Sequence, residues 1–168
     1  RICSISAGES HYLLASEGGV VFSGGGGISG CLGNGSFEPS LLPRPIDALQ
    51  HETVVQVAAA QGHSLVLTRL GTVYSFGDTG YGMLGHGEEE EDRHPWPRAI
   101  AGLRKIFHIA AGFSHNLAVD DDGSLFGWGD HEALGLHEAE CEQSTPRMLA
   151  GISLSGQSHG TCIQTHMT

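Results

Sequence analysis

The chain carries 11 histidines in 168 residues, a generous supply of a side chain that can ligate metals or move protons. Three of them, His11, His63 and His115, recur at intervals of 52 residues, and His159 follows 44 residues later. No His-x-x-x-His or His-Glu-x-x-His spacing gathers two rings on one helix face, so the pattern does not make a metal site. One histidine per long interval instead places the rings at equivalent positions of separate units, where hydrogen bonding to backbone within or between units is the expected role. Serine precedes three of the four, at Ser10, Ser114 and Ser158. Neighbours on a strand point to opposite faces, so these serines cannot use the adjacent imidazole as a base.

Other residue clusters suggest chemistry and lose it on inspection. Gly24-Gly25-Gly26-Gly27 lacks the Gly-Lys-Ser/Thr that completes a phosphate loop. Asp120-Asp121-Asp122-Gly123 opens like a calcium loop but has no glutamate at the closing position, so a hairpin turn is expected. The run Glu88, Glu89, Glu90, Glu91, Asp92 reads as a solvated loop, with an acidic lip that steers a basic protein partner as its functional alternative. Arg44, Arg98 and Arg147 each follow a proline and are expected to pair structurally.

The elements that must position these residues come in copies. Three residues before each recurring histidine stands a small residue, Gly8, Ala60, Gly112 or Gly156. Eight residues after the first three come Gly19, Gly71 and Gly123, each leading into a short apolar run. Gly25, Gly77 and Gly129 follow, then Leu-Gly pairs ending in Gly33, Gly85 and Gly135. A Pro-Arg segment closes each unit, at Pro43-Arg44, Pro97-Arg98 and Pro146-Arg147. Two independent patterns in one order establish three units over about 2–52, 53–104 and 105–151, with a partial fourth over 152–168.

Within a unit the signals are those of short strands. Residues 54–59, 64–68 and 72–76 are apolar and rich in β-branched side chains, and the turns between them carry glycine. The counterparts are 2–6, 12–15 and 20–23 in the first unit, and 106–110, 116–119 and 124–127 in the third. The Pro-Arg segment supplies a fourth, edge-type strand. Four strands in about 50 residues is the size of a propeller blade. The fold class is therefore all-β, a partial β-propeller of three four-stranded blades and the start of a fourth.

Composition agrees. Glycine supplies 26 of 168 residues, about twice the usual share, and charged residues only 16%. A net charge of −11 with eight basic residues argues against a nucleic-acid partner. No apolar run reaches the roughly 18 residues a membrane span needs. Four cysteines without Cys-x-x-Cys spacing are expected to be free thiols, and the expected location is intracellular, cytoplasmic or nuclear.

The order Gly-x-x-His, Gly-x-[Val/Leu]-[Tyr/Phe]-x-x-Gly, Leu-Gly, Pro-Arg resembles the regulator of chromosome condensation repeat family. The likeness runs from Ile2 to about Gln164. Departures from it are Gly24, where Phe76 and Trp128 supply an aromatic, Ala60 in place of glycine, and a third unit two residues shorter between Gly129 and Gly135. The resemblance implies a ring of seven such blades, so the chain is expected to be part of a larger propeller. It implies a non-catalytic protein–protein interaction scaffold, without cofactor or metal. The alternative it offers is guanine-nucleotide exchange on, or regulation of, a small GTPase. Light sensing by clustered tryptophans is excluded, since only Trp96 and Trp128 exist.

Overall fold

The structure, a computed structural model, describes residues 1–87, 92–136 and 143–149. Among the described residues twelve strands form three antiparallel sheets, each a meander in chain order. Blade 1 holds β1 (Ile2–Ala7), β2 (His11–Ser16), β3 (Val21–Gly25) and β4 (Ser40–Pro45). Blade 2 holds β5 (Val54–Ala59), β6 (His63–Thr68), β7 (Val73–Asp78) and β8 (Arg93–Ala99). Blade 3 holds β9 (Ile106–Ala111), β10 (His115–Asp120), β11 (Leu125–Gly129) and β12 (Gln143–Met148). The second strand of each blade begins on the signature histidine, one residue earlier than the apolar runs suggest. There the backbones of His11, His63 and His115 pair with Gly25, Gly77 and Gly129.

The turns follow from local chemistry. Between β2 and β3 the Gly19 N–H donates to Ser16 O and the Ser16 N–H to Val20 O, with Gly19 at φ +84°. That is a three-residue hairpin loop, which needs a left-handed residue at its end. Gly71 and Gly123 repeat it, at φ +79° and +82°. The Asp120–Gly123 segment is this turn, and the Asp120 carboxylate accepts from the Asp122 and Ser124 N–H groups within it.

The inner strands β1, β5 and β9 each break register, skipping Cys3, Val55 and Phe107. Such bulges turn a side chain out of the sheet. All three are exposed.

Blades pack face to face through two cores. Between blades 1 and 2, Leu13, Ala15, Val21 and Ile46 meet Val54, Val57, Val66 and Phe76. Between blades 2 and 3, Leu65, Leu67, Val73 and Ile100 meet Ile106, Ile109, Ala118 and Trp128. A blade thus has a front face toward its predecessor and a back face toward its successor.

Candidate functional site

The recurring polar residues converge on the seams between blades, and the rings act across the seam. His11 Nε2 lies 2.8 Å from Ser64 Oγ of the next blade, and Ser64 Oγ donates to Cys31 O at 2.8 Å. With its single proton so placed, the serine must accept, so His11 carries its proton on Nε2. His63 Nε2 lies 2.7 Å from Asn116 Oδ1, and Asn116 Nδ2 donates to Met83 O at 2.8 Å. A carboxamide oxygen only accepts, so His63 has the same tautomer. Each ring therefore bonds a side chain of the following blade, which bonds back to a loop carbonyl of the ring's own blade. This corrects the expectation of direct bonding to backbone. A backbone carbonyl would fix one ring equally well, but a side chain that both accepts and donates bridges the two blades at once.

Burial sets the protonation. Desolvation pushes His11 down to about 4, with the nearby His63 adding to it. Desolvation pushes His63 to about 4 as well, against the opposing effect of its hydrogen bond to Asn116. Both rings are neutral near pH 7, with Nδ1 buried and unbonded. Gly8 and Gly112 lie against the His11 and His115 rings, where a side chain would collide. Among the described residues His115 Nε2 has no successor to meet.

Two further clasps flank this relay. Near the axis Ser4 and Ser6 hydroxyls accept from the Val57 and Ala59 N–H groups, while Gln56 both donates to Ile109 O and accepts from its N–H. At the rim the Gly35 N–H donates to Pro95 O and the Gly87 N–H to Ser144 O. Gly33 and Gly85 pack on the rings of Phe76 and Trp128, and Trp128 Nε1 donates to Met83 O at 3.0 Å. Gly135, their counterpart in blade 3, has nothing within 4 Å among the described residues.

The Gly24 departure has a structural reason. Tyr12 pairs across the strands with Gly24, as Ser64 does with Phe76 and Asn116 with Trp128. Blade 1 has exchanged the aromatic from the third strand to the second, and the Tyr12 ring and hydroxyl lie over the glycine.

No catalytic group emerges among the described residues. Ser75 Oγ is 2.9 Å from His86 Nε2, but it is fully buried and donates to Leu84 O, as Ser23 does to Leu32 O. This serine position escaped sequence reasoning because blade 3 has Gly127 there. Asp120, Asp121 and Asp122 lie close together, yet Asp120 caps the turn and Asp121 pairs with Lys105 at 3.3 Å. Cys3 and Cys31 are free, and burial raises the Cys31 thiol to about 11. Asp92 is exposed and its backbone oxygen accepts from the Thr79 N–H, whereas Glu88–Glu91 lie outside the described residues. Gly156 and His159 lie outside them too. The stretch Gly156-Gln157-Ser158-His159-Gly160 satisfies the spacing of a nucleophile elbow, but it is also the fourth copy of Gly-x-x-His, which accounts for it without catalysis.

Successive four-stranded meanders packed face to face around an inner strand define a β-propeller. The model of the regulator of chromosome condensation (RCC1) repeat matches residues 18–67 and 71–119, and the chain belongs to that family. The first match joins the last two strands of blade 1 to the first two of blade 2, so the sequence repeat straddles the seam. The human E3 ubiquitin-protein ligase HERC2 is 37% identical over 79% of this chain, which covers 3% of that protein. The Arabidopsis thaliana ultraviolet-B receptor UVR8 is 38% identical over 77% of this chain, which covers 30% of the receptor. Human WBSCR16 superposes with a TM-score of 0.78 at 23% identity, over 89% of this chain and 38% of that one. Prp20p of Saccharomyces cerevisiae, studied for binding to Gsp1p and histones, gives 0.77 at 24% identity, over 89% and 38%. The chain thus spans 3% and 30% of the two curated relatives HERC2 and UVR8. Among the described residues no helix is long and apolar enough to cross a membrane, which leaves β-barrels unaddressed.

Proposed function

We propose that the chain is a non-catalytic protein-interaction scaffold that contributes three consecutive blades to a larger propeller. One observation carries this reading: the recurring His, Ser and Asn side chains are engaged between blades, while large apolar side chains stand exposed around them. Ile28, Trp96 and Phe113 are more than half exposed, and Arg93 reaches over the Phe37 ring and donates to Ile28 O. Exposed aromatics beside an arginine are the composition of protein-binding hot spots. The relatives named E3 ligases match only in a small part of their length, so their activity supports no enzymatic reading here. Affinity purification with cross-linking mass spectrometry tests the proposal. Cross-links from a partner to the Ile28–Phe37 or Trp96 surface are expected, and failure to enrich any partner would end it. Exchange on a small GTPase remains a finer alternative with fold-level support only. Nucleotide release no faster with the chain than without it would dispose of that alternative.

A further inference from the structure

The chain holds only two asparagines, Asn34 and Asn116, and the fold treats their amides in opposite ways. Asn116 is fully buried, is followed by Leu117, and has both ends of its carboxamide bonded, to the His63 ring and to Met83 O. Asn34 is exposed at the rim of the seam between blades 1 and 2, and Gly35 follows it. Ahead of glycine an asparagine amide is open to attack from its own chain, because no Cβ shields the next peptide nitrogen.

The fold requires that glycine. Gly35 sits at φ +75°, and a side chain there would run into the Trp96 ring of blade 2. At the equivalent place in blade 2, Gly87 also has positive φ, at +90°, but His86 precedes it. Blade 1 alone joins a labile amide to an obligatory glycine.

The local hydrogen bonds prepare one half of a reaction and hold back the other. The Ser36 N–H donates to Asn34 Oδ1 at 3.0 Å. That donor polarises the amide carbonyl and stands where negative charge develops when its carbon is attacked. The Gly35 N–H, whose nitrogen is the nucleophile, donates instead to Pro95 O of blade 2 at 3.0 Å. While this bond and the Trp96 contact hold, the nitrogen neither gives up its proton to base nor turns toward Asn34 Cγ.

We propose that Asn34 is a site of spontaneous deamidation, gated by the rim clasp between blades 1 and 2. When the clasp opens, base removes the Gly35 amide proton and the nitrogen bonds to Asn34 Cγ. The bond from Cγ to the side-chain nitrogen breaks, and ammonia leaves after taking a proton from solvent. One water molecule then opens the cyclic imide at either carbonyl, giving aspartate or isoaspartate. Water is consumed, ammonia is released and nothing is oxidised or reduced. Isoaspartate inserts an extra methylene into the main chain ahead of Gly35, which displaces its N–H from Pro95 O. Either product adds a carboxylate to a chain whose net charge is already −11.

Purified chain incubated in mildly alkaline buffer tests this by peptide mapping with mass spectrometry. Exchange of the amide nitrogen for oxygen changes the mass of the Asn34 peptide, whereas isomerisation at Asp122-Gly123 changes no mass. Conversion is expected at Asn34 and not at Asn116. A free peptide of residues 32–38 lacks the clasp and should convert faster than the folded chain by about tenfold or more. Trp96 is more than half exposed, so Trp96→Ala should leave the far-ultraviolet circular dichroism unchanged. It should raise the rate in the folded chain about two- to tenfold. Equal rates in peptide and folded chain would overturn the proposal. So would an intact Asn34 in both the unmodified chain and Trp96→Ala, followed well beyond full conversion of the peptide.

Discussion

Replacing Asn116 by alanine removes two buried hydrogen bonds at the seam between blades 2 and 3, and their fates differ. The Met83 carbonyl keeps the Trp128 indole N–H at 3.0 Å. The His63 N–H, 2.7 Å from the lost acceptor and fully enclosed, is left with nothing. A buried donor orphaned in this way costs about 1–3 kcal/mol, and with the truncated volume the total should be about 2–4 kcal/mol. Asn116→Ser supplies the hydroxyl that Ser64 uses for the same purpose one blade earlier, so it should lose about half as much. Urea unfolding followed by fluorescence is suitable, because Trp128 is wholly buried in this seam. In a double-mutant cycle with His63→Ala the coupling should be about 1–2 kcal/mol. A loss below about 0.5 kcal/mol for Asn116→Ala, or additive single variants, would refute the relay as a source of stability.

Acid should loosen the same seams. His11 and His63 are held at about 4, below the 6.5 of an imidazole outside the fold, so the unfolded chain binds more protons between those values. Their contribution is complete above pH 6.5 and is lost as pH falls toward 4, with two sites giving a slope of at most about 2.7 kcal/mol per unit. Urea midpoints that stay constant from pH 6.5 to 4.5 would contradict this. Gly71 and Gly102 both have positive φ, but only Gly71 faces the backbone of Lys105 and Ile106. Gly102→Ala should therefore cost about 1–2 kcal/mol by strain, and Gly71→Ala a further 1–3 or so by collision. Equal thermal-unfolding losses would show that this contact does not matter. Gly24→Phe should overpack against Tyr12 by about 1–3 kcal/mol, and adding Tyr12→Ser should restore most of it. A double variant no better than the single would argue against the cross-strand exchange.

The architecture was legible because the residues that turn the chain are of constrained type. Gly19, Gly71 and Gly123 must accommodate a left-handed turn, so they recur visibly, and the histidines recur with them. The other halves of the contacts were not legible. Ser64 and Asn116 do one job with different side chains, and each lies 53 residues from its histidine, so neither identity nor proximity marks it. Ser4 and Gln56 are likewise equivalent in place and unlike in type. The Gly24 departure has no explanation in the sequence because its compensation, Tyr12, lies across a strand pair. A one-dimensional alignment cannot show register.

The histidine relay also has a consequence in time. Each imidazole bond in it runs from a ring to an acceptor synthesised 53 residues later. A ribosome adding about 5–20 residues per second delivers that acceptor roughly 3–10 s after the ring emerges. During each such interval the newest blade presents an unmatched imidazole and an apolar back face to solvent or to whatever escorts the nascent chain. Maturation of the described blades should therefore be stepwise in chain order, and a pause in translation within one unit should prolong the exposure of the unit before it.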